Sequence, residues 1–190
     1  VHGLVCHPEA HVIKEHALHP PGASGSLPTM GAPAGIHRFF EWRDEWTLEV
    51  GFMDEDHRML AGALNRLARD FGVPAGIAAP ASYAPGRGSP CLVAALNRLG
   101  RHVREHFLRE EDVMRTLDYP DFPSHKSEHD ILMAEFSMMV REVKESGDGH
   151  LDLAFLEALK TWLMGHVLDV DRQLAEFLKG ASRNEVVGAE

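Results

Sequence analysis

The chain has 190 residues, 44% of them hydrophobic and 25% charged, enough for one domain whose core needs no disulfide or metal staple. Its 29 acidic residues outnumber 19 basic ones, a net charge of −10, which excludes a nucleic-acid surface built on a basic stripe. No apolar run reaches the ~20 residues of a membrane span, and Val1–Val5 is too short and too lightly charged for a signal peptide.

Residues 1–36 hold five Pro, five Gly and only three charged residues, and His2, His7, His11, His16 and His19 crowd their first half. Little apolar periodicity is available there, so the stretch reads as a flexible His-rich arm. It precedes a bundle domain over 37–180 and a C-terminal tail over 181–190. The two cysteines, Cys6 and Cys91, are too few for a disulfide framework. They read as free thiols in a reducing cytoplasm.

Four helical patterns follow the arm. The first runs from about Asp54 to Phe71, with Leu60, Leu64 and Leu67 at helical spacing, and Gly72-Val73-Pro74 stops it. Residues 72–89 are rich in Gly, Ala and Pro and form a loop. Ser89-Pro90 starts the second helix, which ends near Asp118. The third runs from about Phe122 to Ser146, before Gly147-Asp148-Gly149. The fourth runs from about Leu151 to Leu178, with Gly180 after it. No period-two strand pattern is present. The expected fold is all-α, an up-down-up-down four-helix bundle with an irregular N-terminal arm.

Histidine is unusually common, at 13 residues. His57 lies on the first helix and His106 on the second, with Glu110 four residues on. His125 and His129 lie on the third; His166 lies on the fourth, followed by Asp169 and Asp171. Residues four apart share a helix face and can grip one ion together. Their apolar neighbours include Phe107, Met114, Ile131, Leu132 and Phe136. Burying so many polar groups is costly unless each has a partner, and a metal site supplies all the partners at once. Suitably spaced thiols for a structural zinc site are missing. The zinc-protease pattern is missing too, since Lys126 and not Glu follows His125. Five imidazoles and two carboxylates are too many for one ion and suit two, with the carboxylates bridging. Such ligation favours iron, zinc, copper or nickel. Met133, Met138 and Met139 read as core filler.

The stretches Trp46-Thr-Leu-Glu-Val-Gly-Phe-Met-Asp-Glu-Asp-His57, His106-Phe-Leu-Arg-Glu-Glu111, Tyr119-Pro120 with His125-x-x-x-His129, and Trp162-x-x-x-His166-x-x-x-x-Asp171 resemble the hemerythrin family, in particular the bacteriohemerythrins. The resemblance covers roughly residues 38–178. It implies that His125, His129 and His166 hold one iron, and that His57 and His106 hold a second with one open position. Glu110 and Asp171 would bridge the irons, together with an oxo or hydroxo group. It further implies an oxygen-binding protein rather than an enzyme, taking up O2 for storage, delivery or scavenging. The alternatives are an O2 or redox sensor acting through a separate partner, and a di-iron oxidase or peroxidase. No nucleic-acid or membrane partner is expected, and no protein partner is specified.

His166 and Asp171 are about 140° apart on an ideal helix, so regular geometry prefers Asp169. The resemblance selects Asp171, and a local widening such as a π-bulge would reconcile the two. Three departures from the family pattern stand out. Asp56 replaces a usual Gln, His102 replaces a usual aromatic residue one turn before His106, and the 72–89 loop is long. The first two are the features that hint at extra proton handling.

Overall fold

The computed structural model describes residues 39–73 and 89–187, with side chains described over 39–73 and 90–181. All of these belong to the compact unit Ile36–Glu190. The expected His-rich arm and most of the 72–89 loop lie outside the described residues.

Five α-helices and one short strand pair make up the described residues: α1 Gly51–Phe71, β1 Gly72–Val73, α2 Ser89–Thr116, α3 Phe122–Ser146, β2 Leu151–Asp152, α4 Leu153–Leu168 and α5 Val170–Val187. A single 3-10 turn, Asp44–Trp46, precedes them. Helix α2 packs on both α1 and α3, and α4 packs on α1. The bundle therefore has four rods, the fourth made of α4 and α5. No described helix is long and apolar enough to cross a membrane.

Helix α1 begins three residues before the expected Asp54. The Asp54 side chain is the reason the start is well fixed: its carboxylate is buried and accepts from Leu48 N at 2.7 Å. The segment before the helix is held by Asn65. Its amide donates to Phe40 O at 2.6 Å and accepts from Phe40 N at 2.8 Å. Helix α2 ends in a left-handed residue, Asp118 at φ 50°, and Tyr119 N reaches Met114 O at 2.9 Å. This closure satisfies a terminal carbonyl and turns the chain within five residues into α3. Pro123 sits in the first turn of α3, where a missing N–H costs nothing, and Gly147 at φ 71° ends it.

Three expectations change. The strand pair was not foreseen: β1 and β2 pair in parallel, Gly72 with Leu151 and Val73 with Asp152. Two residues are too short to show a period-two pattern. A side chain at Gly72 would put its Cβ 2.3 Å from Ala68 O, so glycine is needed there. Gly180 does not stop the last helix, which continues to Val187 into the expected tail; an isolated glycine costs about 1 kcal/mol in a helix and is not itself a stop. Cys91, in the first turn of α2, is disulfide-bonded. The free-thiol expectation fails there, and with it the cysteine argument for a reducing compartment.

Two apolar clusters sit along the bundle. The larger includes Leu60, Leu64, Leu96, Val103, Phe107 and Phe136. The smaller includes Leu48, Met53, Met114, Tyr119, Leu174 and Leu178. Several of the buried polar residues lie between members of the two clusters. His57 falls between Met53 and Leu60, and Glu110 between Phe107 and Met114. Two apolar neighbours named from sequence are not core: Ile131 is 49% exposed and Met138 60% exposed. Met133 and Met139 do pack against the larger cluster.

Candidate metal centre

The site is assembled from one or two positions per rod. Helical spacing turns His106 and Glu110 to one side of α2, and His125 and His129 to one side of α3. Helix α1 contributes His57, and the fourth rod contributes His166 and Asp171. All seven are buried; Glu110 and Asp171 are 0% exposed.

Their donor atoms form two groups, each within 4.8 Å. One holds His125, His129, His166, Glu110 and Asp171; the other holds His57, His106, Glu110 and Asp171. The two carboxylates are common to both. His166 Nε2 lies 3.0 Å from Asp171 Oδ1, and His125 Nε2 lies 3.4 Å from the same oxygen. His57 Nε2 lies 3.1 Å from Asp171 Oδ2 and 3.3 Å from His106 Nε2. His129 Nε2 lies 3.3 Å from Glu110 Oε2.

Closeness here is not the same as hydrogen bonding. Both Glu110 oxygens, Asp171 Oδ1, and Nε2 of His125, His129 and His166 are buried without a hydrogen-bond partner. Buried polar atoms left unpaired are costly and call for an explanation. Nitrogen and carboxylate oxygen atoms that converge without facing one another are arranged to share a common third centre. A pair of metal ions satisfies that requirement, so the residues present fit a two-metal group.

Charge agrees with this. Burial pushes His106 down, yet the carboxylates of Glu110, Asp171 and Asp56 overcome it and raise it to about 10. Burial likewise opposes His125, and Asp171 and Glu110 raise it to about 9. Burial would raise Asp171, but His166, His106 and His125 hold it well below the usual carboxylate range. The metal-free chain thus fills the place of cations with protons. His129, by contrast, is pushed down, chiefly by burial.

Residues 48–178 match the hemerythrin HHE cation binding domain. The chain belongs to the hemerythrin family. Relatives include the bacteriohemerythrin of Clostridium acetobutylicum, 26% identical over 70% of this chain and 97% of that one. The myohemerythrin of Sipunculus nudus is 24% identical over 70% of this chain and 88% of its own. A crystal structure of a hemerythrin point mutant shares the fold with a TM-score of 0.57 at 24% identity, covering 73% of this chain and 96% of that one. Hemerythrins hold a non-heme di-iron centre and bind oxygen there.

The structure also explains the misfit on the fourth rod. Asp169 interrupts the helix at φ −115° and ψ −73°, with its N–H on His166 O at 3.2 Å. The rod breaks into α4 and α5, where one regular or locally widened helix was expected. The break turns Asp171 inward and leaves Asp169 exposed, where it accepts from Gln173 Nε2 at 3.1 Å.

Around the donors stands a second set of carboxylates. Asp56 Oδ2 lies 3.4 Å from His106 Nδ1 and accepts from Arg109 at 2.5 and 2.8 Å. Glu111 Oε1 lies 3.3 Å from His129 Nδ1, and its other oxygen accepts from Arg115 at 3.2 Å. These two imidazoles thus have an anionic partner on the outer nitrogen, which fixes the ring and leaves Nε2 for the metal; Nδ1 of His57 and of His125 has no hydrogen-bond partner. Glu111, Arg109 and Arg115 were not singled out from sequence. The available signal was the doublet Glu110-Glu111, whose adjacent residues cannot both face the same donors.

His102 does not join either donor group. It lies 3.6 Å from the exposed Glu105, in a cleft with Arg66, Asp70 and Arg98. Asp56 is tied to His106 and Arg109. Of the two residues that hinted at proton handling, Asp56 is therefore engaged, while His102 Nδ1 is buried without a hydrogen-bond partner. Phe107 stacks on His129 at 3.8 Å and meets His166 edge-on at 5.2 Å, and it belongs to the same buried apolar cluster as Leu163 and Met164.

Proposed function

We propose that this chain binds O2 reversibly at two irons held by His57, His106, Glu110, His125, His129, His166 and Asp171, for storage, delivery or scavenging. The observation that carries the reading is the unequal division of histidines between two donor groups that share both carboxylates. Three imidazoles and two carboxylates would supply nearly all the ligands of an iron on one side. Two imidazoles with the same two carboxylates leave room on the other.

The irons, when bound, supply the reversible exchange of electrons with O2. The chain's own residues do the rest. Glu110 and Asp171 span the two positions and offset part of the cationic charge in a low-dielectric interior. Asp56 and Glu111 hold the rings of His106 and His129. Phe107, Leu163 and Met164 keep water away, which favours simple release over hydrolytic side reactions. Asp56 and Glu111 are each held by an arginine, Arg109 and Arg115, which supports binding over turnover.

Anaerobic titration with ferrous iron tests the stoichiometry. Two irons per chain are expected, falling to at most one in His57→Ala/His106→Ala. A single iron per wild-type chain, or full occupancy in that double variant, contradicts the proposal.

A further inference from the structure

A groove of about 470 Å³ runs between α2 and α3, lined by apolar and cationic residues and by no acidic one. Phe136 is buried at its base, and Val93, Met133 and Val140 are half-buried beside it. Arg101, Arg104, Arg141 and Lys144 also line it and are exposed. In a chain with 29 acidic and 19 basic residues, four cations without an acid is an uneven distribution. Among the described residues, Arg101, Arg104 and Lys144 form no ion pair, and Arg141 reaches only Glu145 at 3.9 Å. Some surface cations elsewhere are paired, as in Lys126 with Asp130 and Lys160 with Glu157, whereas others, such as Arg66 and Arg98, form no ion pair among the described residues.

The two helices are joined by residues 117–121, so they run antiparallel. Arg101 and Arg104 therefore lie near Met133 at one end, and Arg141 and Lys144 lie near Val93 at the other. The span from Val93 to Arg104 is three helical turns, about 16 Å. An apolar floor with cations at both ends asks for an occupant that is apolar in the middle and acidic at both ends.

We propose that this groove docks an acidic amphipathic helix of a partner protein, about three turns long. Apolar side chains at i, i+3, i+4 and i+7 would lie on Met133, Phe136 and Val140, and flanking carboxylates would meet the four cations. Two packed helices present ridges and grooves suited to a third helix. No strand edge is available to hydrogen-bond an extended peptide. A single-headed amphipathic anion would use the cations of one end only and would be poorly enclosed. The inference does not rest on the iron site.

The test uses the full chain and a fluorescent synthetic peptide of about three turns, with leucines along one face and glutamates beside them. Dodecanoate and anionic phospholipid vesicles serve as competing probes. We expect saturable peptide binding that weakens with added salt, and protection of amides in 93–104 and 133–144 from hydrogen exchange. Arg101→Glu/Arg104→Glu should weaken binding at least tenfold. Arg66→Glu/Arg98→Glu, with the same charge change on another exposed face, should leave it unchanged. All four positions are exposed, so circular dichroism should match the parent. No peptide binding, equal loss in both double variants, or binding of dodecanoate or vesicles but not peptide overturns the proposal.

Discussion

His166 Nε2 and Asp171 Oδ1 lie 3.0 Å apart although they stand five residues apart on one rod. A regular helix would separate them by about 140°. The interruption at Asp169 removes that separation and brings both into the same buried site.

This relationship sets the first prediction. Asp171→Ala should lower iron content, because it leaves cationic centres under-neutralised in the interior. Asp169→Ala should keep both irons and change stability by only about 0.5 kcal/mol, as expected for an exposed position. Metal analysis and thermal unfolding of both variants, measured together, check this. An emptied site in Asp169→Ala beside a full one in Asp171→Ala would reverse the assignment.

Asp56 and Glu111 touch the outer nitrogens of His106 and His129, not the donor atoms. Asp56→Asn and Glu111→Gln should each weaken metal affinity by about 10- to 100-fold while the bundle stays folded. Metal affinity from competition with a chelator reads this directly. Alanine at Arg109 should have a smaller effect, since Asp56 would remain beside the ring. Unchanged affinity in both carboxylate variants would remove their positioning role.

Proton competition gives a pH dependence of definite sign. In the metal-free chain His106 and His125 are raised to about 10 and about 9, so both are protonated at neutral pH. A metal binds the neutral ring, so loading must release these protons. Affinity for a divalent ion such as cobalt should therefore rise between pH 6.5 and 8.5, with proton release in weakly buffered solution. Loading that is independent of pH across this range would contradict the charge assignment.

Much of this architecture was legible in the sequence because helix periodicity and metal spacing reinforce each other. His106 with Glu110, and His125 with His129, are one helical turn apart, so local geometry alone puts each pair on one face. The boundaries at Pro123 and Gly147 follow from backbone chemistry. The break at Asp169 was not legible, since Leu-Asp-Val-Asp carries no proline or glycine to signal it. The roles of Asp56 and Glu111 were hidden for a different reason. Each depends on an imidazole from another helix, and such contacts have no fixed spacing along the chain. Ile131 and Met138 mislead because an apolar side chain on a helix is often exposed.

The most direct test of the account is one cycle of oxygen exposure on the anaerobically reduced, iron-loaded chain. Admitting air should produce a visible charge-transfer band at two irons per chain, and removing O2 should abolish the band and restore the reduced state over repeated cycles. A band that does not reverse, or continued O2 consumption without a stable oxygenated form, would contradict reversible binding and favour an oxidase.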